Sequence, residues 1–236
     1  MNKFIHEFVS LAGLSIFLCA CSSHSTNATV HGLTPAEASQ MNSQNAKISE
    51  EKTPAVTANT RFAAGQLAEV QGDLGKAIHQ YNKALDIDPN HLPSLFRLGV
   101  IYAGQKDYSK SIEVWKRYVA ASGNAGFGYG NLGYCYELAG MPNTAVSTYQ
   151  KGIAKDPKDA SCRTNYGILL AREGHTQEAI LMWNPVLSDA EIHYNLASVY
   201  QMSGRKAEAR TEYLKALAAD PTLIDARARL SQLPND

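Results

Sequence analysis

Apolar residues return every three or four places along most of this chain, and the stripe they draw breaks at intervals on a glycine or a proline. That period puts apolar side chains on one face of an α-helix, so the pattern predicts a succession of short amphipathic helices. The clearest stretch runs from Gly126 to Asp159. In it Leu132-Gly133 and Tyr136 lead to Gly140, followed by Ala145, Tyr149 and a closing Asp156-Pro157. Shifted back by 34 residues the frame reads Leu98-Gly99, Tyr102, Ser111 and Trp115; shifted again it reads Ala64-Gly65, Gly72, Ala77, Tyr81, Ala84 and Pro89. Forward it reads Tyr166-Gly167, Gly174, Ala179 and Trp183, and a fifth copy, Leu196-Ala197, Tyr200, Gly204, Ala209, Tyr213, Ala216 and Pro221, follows after an interval of 30.

Each copy is two helices joined at a turn. The small residues Gly133 and Ala145 are expected where the two helices cross, because only a small side chain lets the axes approach closely. The large Tyr136 and Tyr149 are expected to fill the space between one pair and the next. Pro157 stops the second helix, since it cannot continue the backbone ladder. One pair cannot bury its apolar face alone, so the copies must stack.

This frame resembles the tetratricopeptide repeat family, over about residues 58–223. The resemblance implies an all-α superhelix of five helix-turn-helix units, 58–91, 92–125, 126–159, 160–189 and 190–223, closed by a capping helix in 224–236. From Leu223 to Leu233, apolar Leu223, Ile224, Ala226 and Leu230 alternate with Asp225, Arg227 and Arg229, as a terminal cap with a polar outer face requires. In the fourth unit Pro185 cuts the second helix short and accounts for the missing four residues. A functional bend and a tolerated deletion are both open readings of that shortening.

Ahead of the repeats, residues 1–20 read as an export signal: Lys3 and Glu7 precede an apolar run, Phe8 to Ala20, too short to span a bilayer as a permanent helix. Leu18-Cys19-Ala20-Cys21 resembles the lipobox of bacterial lipoproteins, which implies cleavage before Cys21 and a diacylglycerol on its sulfur. Cys19 is the poorer acceptor because Leu18 would stand where a small residue is expected; an ordinary secretory signal is the plainer alternative. Two or more acyl chains would hold the protein firmly on a membrane. Ser22 stands where lipoproteins kept in the inner membrane typically have Asp, so the resemblance implies the periplasmic face of the outer membrane. Residues 21–57 are rich in Ser, Thr, Asn and Gln and read as a flexible tether, with Thr34 placed to cap a transient helix over Pro35 to Asn45.

Charge then narrows the function classes. With 22 basic and 22 acidic residues, formal charge is zero and nothing favours a nucleic-acid partner. The seven histidines and four cysteines fall in no zinc spacing. Cys135 and Cys162 lie on successive first helices, too far apart to bridge, and read as small core thiols. Gly128-Tyr129-Gly130-Asn131-Leu132-Gly133 matches the dinucleotide fingerprint letter for letter, but no strand precedes it and no acidic ribose partner follows a crossover. No HExxH, Walker loop or nucleophile elbow appears. An enzyme is therefore not expected, nor a metal, nor any cofactor beyond the lipid on Cys21.

What remains is a surface. In the repeat family the first helices line a concave wall, and an Asn two places before the small residue often grips the backbone of a bound peptide. Here those places hold Ala63, Arg97, Asn131, Asn165 and Asn195, so the resemblance carries the role to Asn131, Asn165 and Asn195. Tying neighbouring helices together is the alternative role for these amides. Three places before stand Phe62, Phe96, Gly130, Thr164 and Tyr194, and one place after stand Gln66, Val100, Tyr134, Ile168 and Ser198. The wall is apolar and aromatic and lacks the Lys and Arg set that clamps a terminal carboxylate in the chaperone-tail type of repeat domain. A hydrophobic or amphipathic protein segment is the better ligand, with Phe62, Phe96, Tyr134 and Tyr194 receiving its side chains or packing the units together. Size, lipobox and repeat count resemble the tetratricopeptide lipoproteins of pilus biogenesis, either the Flp/Tad assembly lipoprotein or the type IV secretin pilotin. That implies a periplasmic scaffold with a secretin or a pilus assembly component as partner. The second reading is an adaptor for envelope enzymes, such as peptidoglycan hydrolases or proteases, or for outer-membrane protein assembly.

Overall fold

The computed structural model describes residues 55–123 and 125–233. The leader, Cys21, nearly all of the tether and the segment Pro35 to Asn45 lie outside them. Eleven helices fill the described residues. They run in pairs: α1 (Ala58–Val70) with α2 (Leu74–Ile87), α3 (Leu92–Gly104) with α4 (Tyr108–Ala121), and α5 (Gly126–Leu138) with α6 (Pro142–Lys155). Then come α7 (Ala160–Arg172) with α8 (Thr176–Trp183), α9 (Asp189–Met202) with α10 (Lys206–Ala219), and a closing α11 (Ile224–Ser231). The expected all-α repeat architecture is the one observed.

Local chemistry sets the helix ends. Asp73, Asp107 and Asp159 accept backbone N–H groups at the starts of α2, α4 and α7, and Ser188 with Glu191 forms a reciprocal capping box on α9. The turns inside four pairs use a glycine in the left-handed region, Gly72, Gly140, Gly174 and Gly204. The same place in the second pair holds Lys106 at φ 62°, where a side chain is strained.

Within each pair one aromatic ring of the second helix lies on the small residue of the first. A Cβ built on Gly65, Gly99, Gly133 or Gly167 would stand 2.7, 2.6, 2.6 and 2.6 Å from atoms of the rings of Tyr81, Trp115, Tyr149 and Trp183 respectively. This corrects the expectation for Tyr149, whose ring fills the interior of its own pair; its far side then stacks on Tyr166 of the next unit, centroids 6.1 Å apart. The rings alternate, and so do their polar partners. Tyr81, Tyr149 and Tyr213 donate their hydroxyls to Glu69, Glu137 and Gln201, all twelve residues earlier, whereas the two tryptophan units carry Ala103 and Ala171 at that place.

Two of those carboxylates also lock units together. Arg97 reaches back to Glu69, and Arg172 to Glu137, on almost fully buried acid side chains. Burial pushes the Glu137 carboxyl up, against the opposing pull of Tyr149 and Arg172.

The fingerprint-like glycines of α5 are contact points. A Cβ on Gly128 would stand 3.0 Å from Tyr118 and Val119 of α4, and one on Gly130 would stand 2.9 Å from the Ser161 Cβ and 3.2 Å from the Cys162 backbone nitrogen of α7. First helices accordingly pack on one another directly from α5 to α7 and from α7 to α9. Cys135 and Cys162 are free, buried thiols in separate surroundings: Cys135 Sγ lies 3.1 Å from Ser111 Oγ, and Cys162 Sγ donates to the Gly126 carbonyl at 3.2 Å.

The stack changes at its ends and at the fourth unit. Helix α8 has eight residues against thirteen or fourteen in the other nine paired helices. It closes in a turn where the Val186 and Leu187 N–H groups both meet the Trp183 carbonyl, and it touches α9 only thinly. At the first unit Leu67 is 57 % exposed, while its equivalents Ile101, Cys135, Leu169 and Val199 are at most 6 % exposed, each packed against a preceding unit. At the other end α11 buries Ala226 and the following Leu233 against α9 and α10, though Ile224 stays exposed.

Candidate functional site

The residues assigned to the wall do not share one fate. Phe62 packs at the joint of the first two units, 5.5 Å from the rings of both Tyr81 and His91. His91 is itself buried between Ser94 and Asn59, each 2.9 Å from a ring nitrogen. Phe96 stacks on Phe127 of the third unit at 5.9 Å and meets Trp115 edge-on at 5.7 Å. These two aromatics hold units together. Tyr194 is buried against Tyr213, centroids 5.8 Å apart, and Tyr134 is half-buried. Burial raises the pKa of both phenols, so they stay neutral donors.

The asparagines also diverge. Asn131, 8 % exposed, turns its Nδ2 to the Phe127 carbonyl of its own helix at 3.0 Å. Asn165 reaches across the joint and donates to the Gly130 carbonyl at 3.2 Å. Asn195 is 6 % exposed and, among the described residues, has no hydrogen-bond partner. Arg97, which holds the equivalent place in the second unit, is engaged by Glu69, and that contact is the main reason its pKa is raised. Among the described residues no group of three or more His, Cys, Asp or Glu side chains is placed to hold a metal ion.

Family models described as tetratricopeptide repeat match residues 62–125, 129–161, 148–181 and 190–223. The chain belongs to the tetratricopeptide repeat family. It is 29 % identical over 127 residues to the general transcriptional corepressor ssn6 of Schizosaccharomyces pombe, which covers 52 % of this chain and 12 % of the corepressor. It is 26 % identical over 106 residues to the photosystem I assembly protein Ycf3 of Prochlorococcus marinus, covering 44 % of this chain and 59 % of that protein. The chain thus spans less than two thirds of these relatives. Among solved structures, the tetratricopeptide protein TTC0263 of Thermus thermophilus superposes with a TM-score of 0.57 at 23 % identity, covering 74 % of this chain and 97 % of that one. PilW, a type IV pilus biogenesis factor, superposes with a TM-score of 0.55 at 17 % identity, covering 72 % and 80 %. At these identities the likeness is one of fold.

Tetratricopeptide phase alone did not single out Thr164. Its hydroxyl is buried and, among the described residues, unpartnered; so is the Trp115 indole N–H. The signal that bears on Thr164 is the alternation of Tyr and Trp in the second helices. Trp183 brings a ring N–H that Tyr149 lacks, and it donates to the Thr164 carbonyl at 3.1 Å.

Proposed function

We propose that this protein is a lipid-anchored scaffold on the periplasmic face of the outer membrane that binds protein segments along its first-helix wall and supports assembly of a pilus secretin. It acts by binding rather than by chemistry, and its only covalent cofactor is the lipid on Cys21. The observation that carries the binding part is a tetratricopeptide stack whose wall still holds an unengaged polar side chain, Asn195, beside the aromatic Tyr194. Peptide recognition on such a wall needs backbone-directed polar groups next to apolar receptors. The membrane and pilus parts rest on the lipobox-like Leu18-Cys19-Ala20-Cys21, on Ser22, and on the combination of leader and repeats. PilW contributes a likeness of fold.

The test joins anchor to partner. Wild-type protein should fractionate with the outer membrane and, after cross-linking in cells and extraction, carry a secretin or another pilus component. Cys21→Ser should leave the membrane fraction or stall as a precursor. An unmodified mature N-terminus on the wild-type protein would refute the anchor, and recovery of a peptidoglycan hydrolase or protease in place of a secretin would transfer the protein to the envelope-enzyme adaptors.

A further inference from the structure

The first unit presents to solvent a face that every later unit buries. Along α1 the exposed residues Thr60, Ala63, Leu67 and Val70 recur at intervals of three, four and three, which sets them in one stripe down the helix. Thr60 and Leu67 hold places that are buried in all four following units, as Ser94, Gly128, Cys162 and Ile192 and as Ile101, Cys135, Leu169 and Val199. Leu67 is 57 % and Val70 66 % exposed. Neither the stripe nor its borders carry charge. Asn59, Ala64, Gln66 and Gln71 flank it, while the two charged residues of α1 turn inward: Arg61 donates to Gln80, and Glu69 accepts from Tyr81 and Arg97.

The far end of the stack has a different surface. Helix α11 buries Ala226 and, apart from Ile224, turns Asp225, Arg227, Ala228 and Ser231 outward. A head-to-tail contact, which would add copies without closing, would therefore press an apolar stripe onto a polar face. A twofold contact asks only that the stripe complement itself. Two α1 helices laid antiparallel put Ala63 of each opposite Leu67 of the other, and Thr60 opposite Val70, so a small residue faces a large one in every layer. A parallel pair would instead set Leu67 against Leu67 and leave a gap at Ala63. We propose that this stripe is an interface between two copies of the chain, an antiparallel α1–α1 pair whose twofold axis lies level with Gly65. Uncharged borders let the two copies meet without like-charge repulsion. Four side chains on a single helix fall short of the about 800 Å2 per partner of a standard interface, so the pair is weak and its population follows protein concentration.

Single cysteines read the register, because Cys135 and Cys162 are buried. Full-length Thr60→Cys mixed with full-length Val70→Cys, in mild detergent and under oxidation, should give the 60–70 linked peptide in mass spectrometry at several times the yield of the 60–60 or 70–70 peptide from either variant alone. Sedimentation over a concentration series should show wild type passing from monomer to dimer. Leu67→Glu sets two carboxylates beside the axis and should weaken the dimer at least about tenfold. At a dilution where wild type is monomeric it should melt with wild type, since more than half of the Leu67 side chain is already in water. A wild type that stays monomeric at about 100 μM, a 70–70 peptide as abundant as the 60–70 peptide, or a Leu67→Glu dimer as tight as wild type would each overturn this assignment. A Leu67→Cys monomer that resists a thiol reagent would overturn it too, by showing that another occupant covers the stripe.

Discussion

Replacing Gly133 by alanine and then by leucine measures how tightly the central helix pair is closed. A Cβ at this position would stand 2.6 Å from Tyr149 Cδ1 and 2.9 Å from Cζ, so the ring must retreat by about an ångström to reach an ordinary contact distance. It has little freedom to do so. Its hydroxyl is held on Glu137 at 2.5 Å and its far side is stacked on Tyr166. Helix propensity pulls the other way, favouring alanine over glycine by about 1 kcal/mol. Overpacking a close-packed interior typically costs about 1–3 kcal/mol, so Gly133→Ala should be destabilised by up to about 2 kcal/mol and Gly133→Leu by more. The fifth pair, built with Ala197 under Tyr213, shows that the backbone tolerates a methyl group where the ring is placed for it. Gly104→Ala is the control: nothing lies within 4 Å of its Cβ and its φ is not positive, so it should gain about 0.4–1 kcal/mol. Thermal and urea unfolding followed by circular dichroism would read these differences, at about 2–4 °C per kcal/mol for a domain of this size. Hydrogen exchange should show the loss spreading into the second and fourth units, since each unit is stabilised by its neighbours. Gly133→Leu melting with wild type, or Gly104→Ala costing as much as Gly133→Ala, would refute the argument.

Three further outcomes are expected. Lys106→Gly relieves the one non-glycine residue with positive φ among the described residues and should raise stability by about 0.5–1 kcal/mol; a lower melting temperature would show that the lysine side chain contributes more than the strain removes. Burial pushes the Cys135 and Cys162 thiols up to about 11 and about 12, from an ordinary value near 9, so neither should react with a thiol reagent at pH 8 until the protein unfolds. Because the unfolded thiols ionise first, their contribution to stability is whole below pH 9 and is lost as pH climbs towards 11 and 12; rapid native labelling, or an alkaline stability loss unchanged in Cys135→Ala, would contradict this. Glu137→Gln keeps an acceptor for the Tyr149 hydroxyl, as Gln201 does for Tyr213, and should cost less than Glu137→Leu, which strands that hydroxyl at about 1–3 kcal/mol; equal melting temperatures for the two variants would dismiss the hydrogen bond as a stabilising contact.

The helix period, the recurring small residue, the turn glycines and the closing prolines were all legible in the chain by itself, because each is a local consequence of backbone geometry within a few residues. The all-α stack followed from them, since one amphipathic pair cannot bury its own face. The shortening of α8 was equally visible in Pro185. Tertiary structure decided the partners. Whether Tyr149 fills its own pair or the gap to the next, and whether Arg97 serves a ligand or Glu69, depends on contacts between residues 12 to 35 apart in sequence, which no local pattern encodes. The three asparagines look alike in the repeat frame, yet their hydrogen bonds differ because the carbonyl an amide reaches is set by how closely the neighbouring helix packs. Asn131 donates to Phe127 O of its own helix and Asn165 to Gly130 O across the joint, while the Thr164 carbonyl, one unit on from Gly130 in the same frame, takes the indole N–H of Trp183.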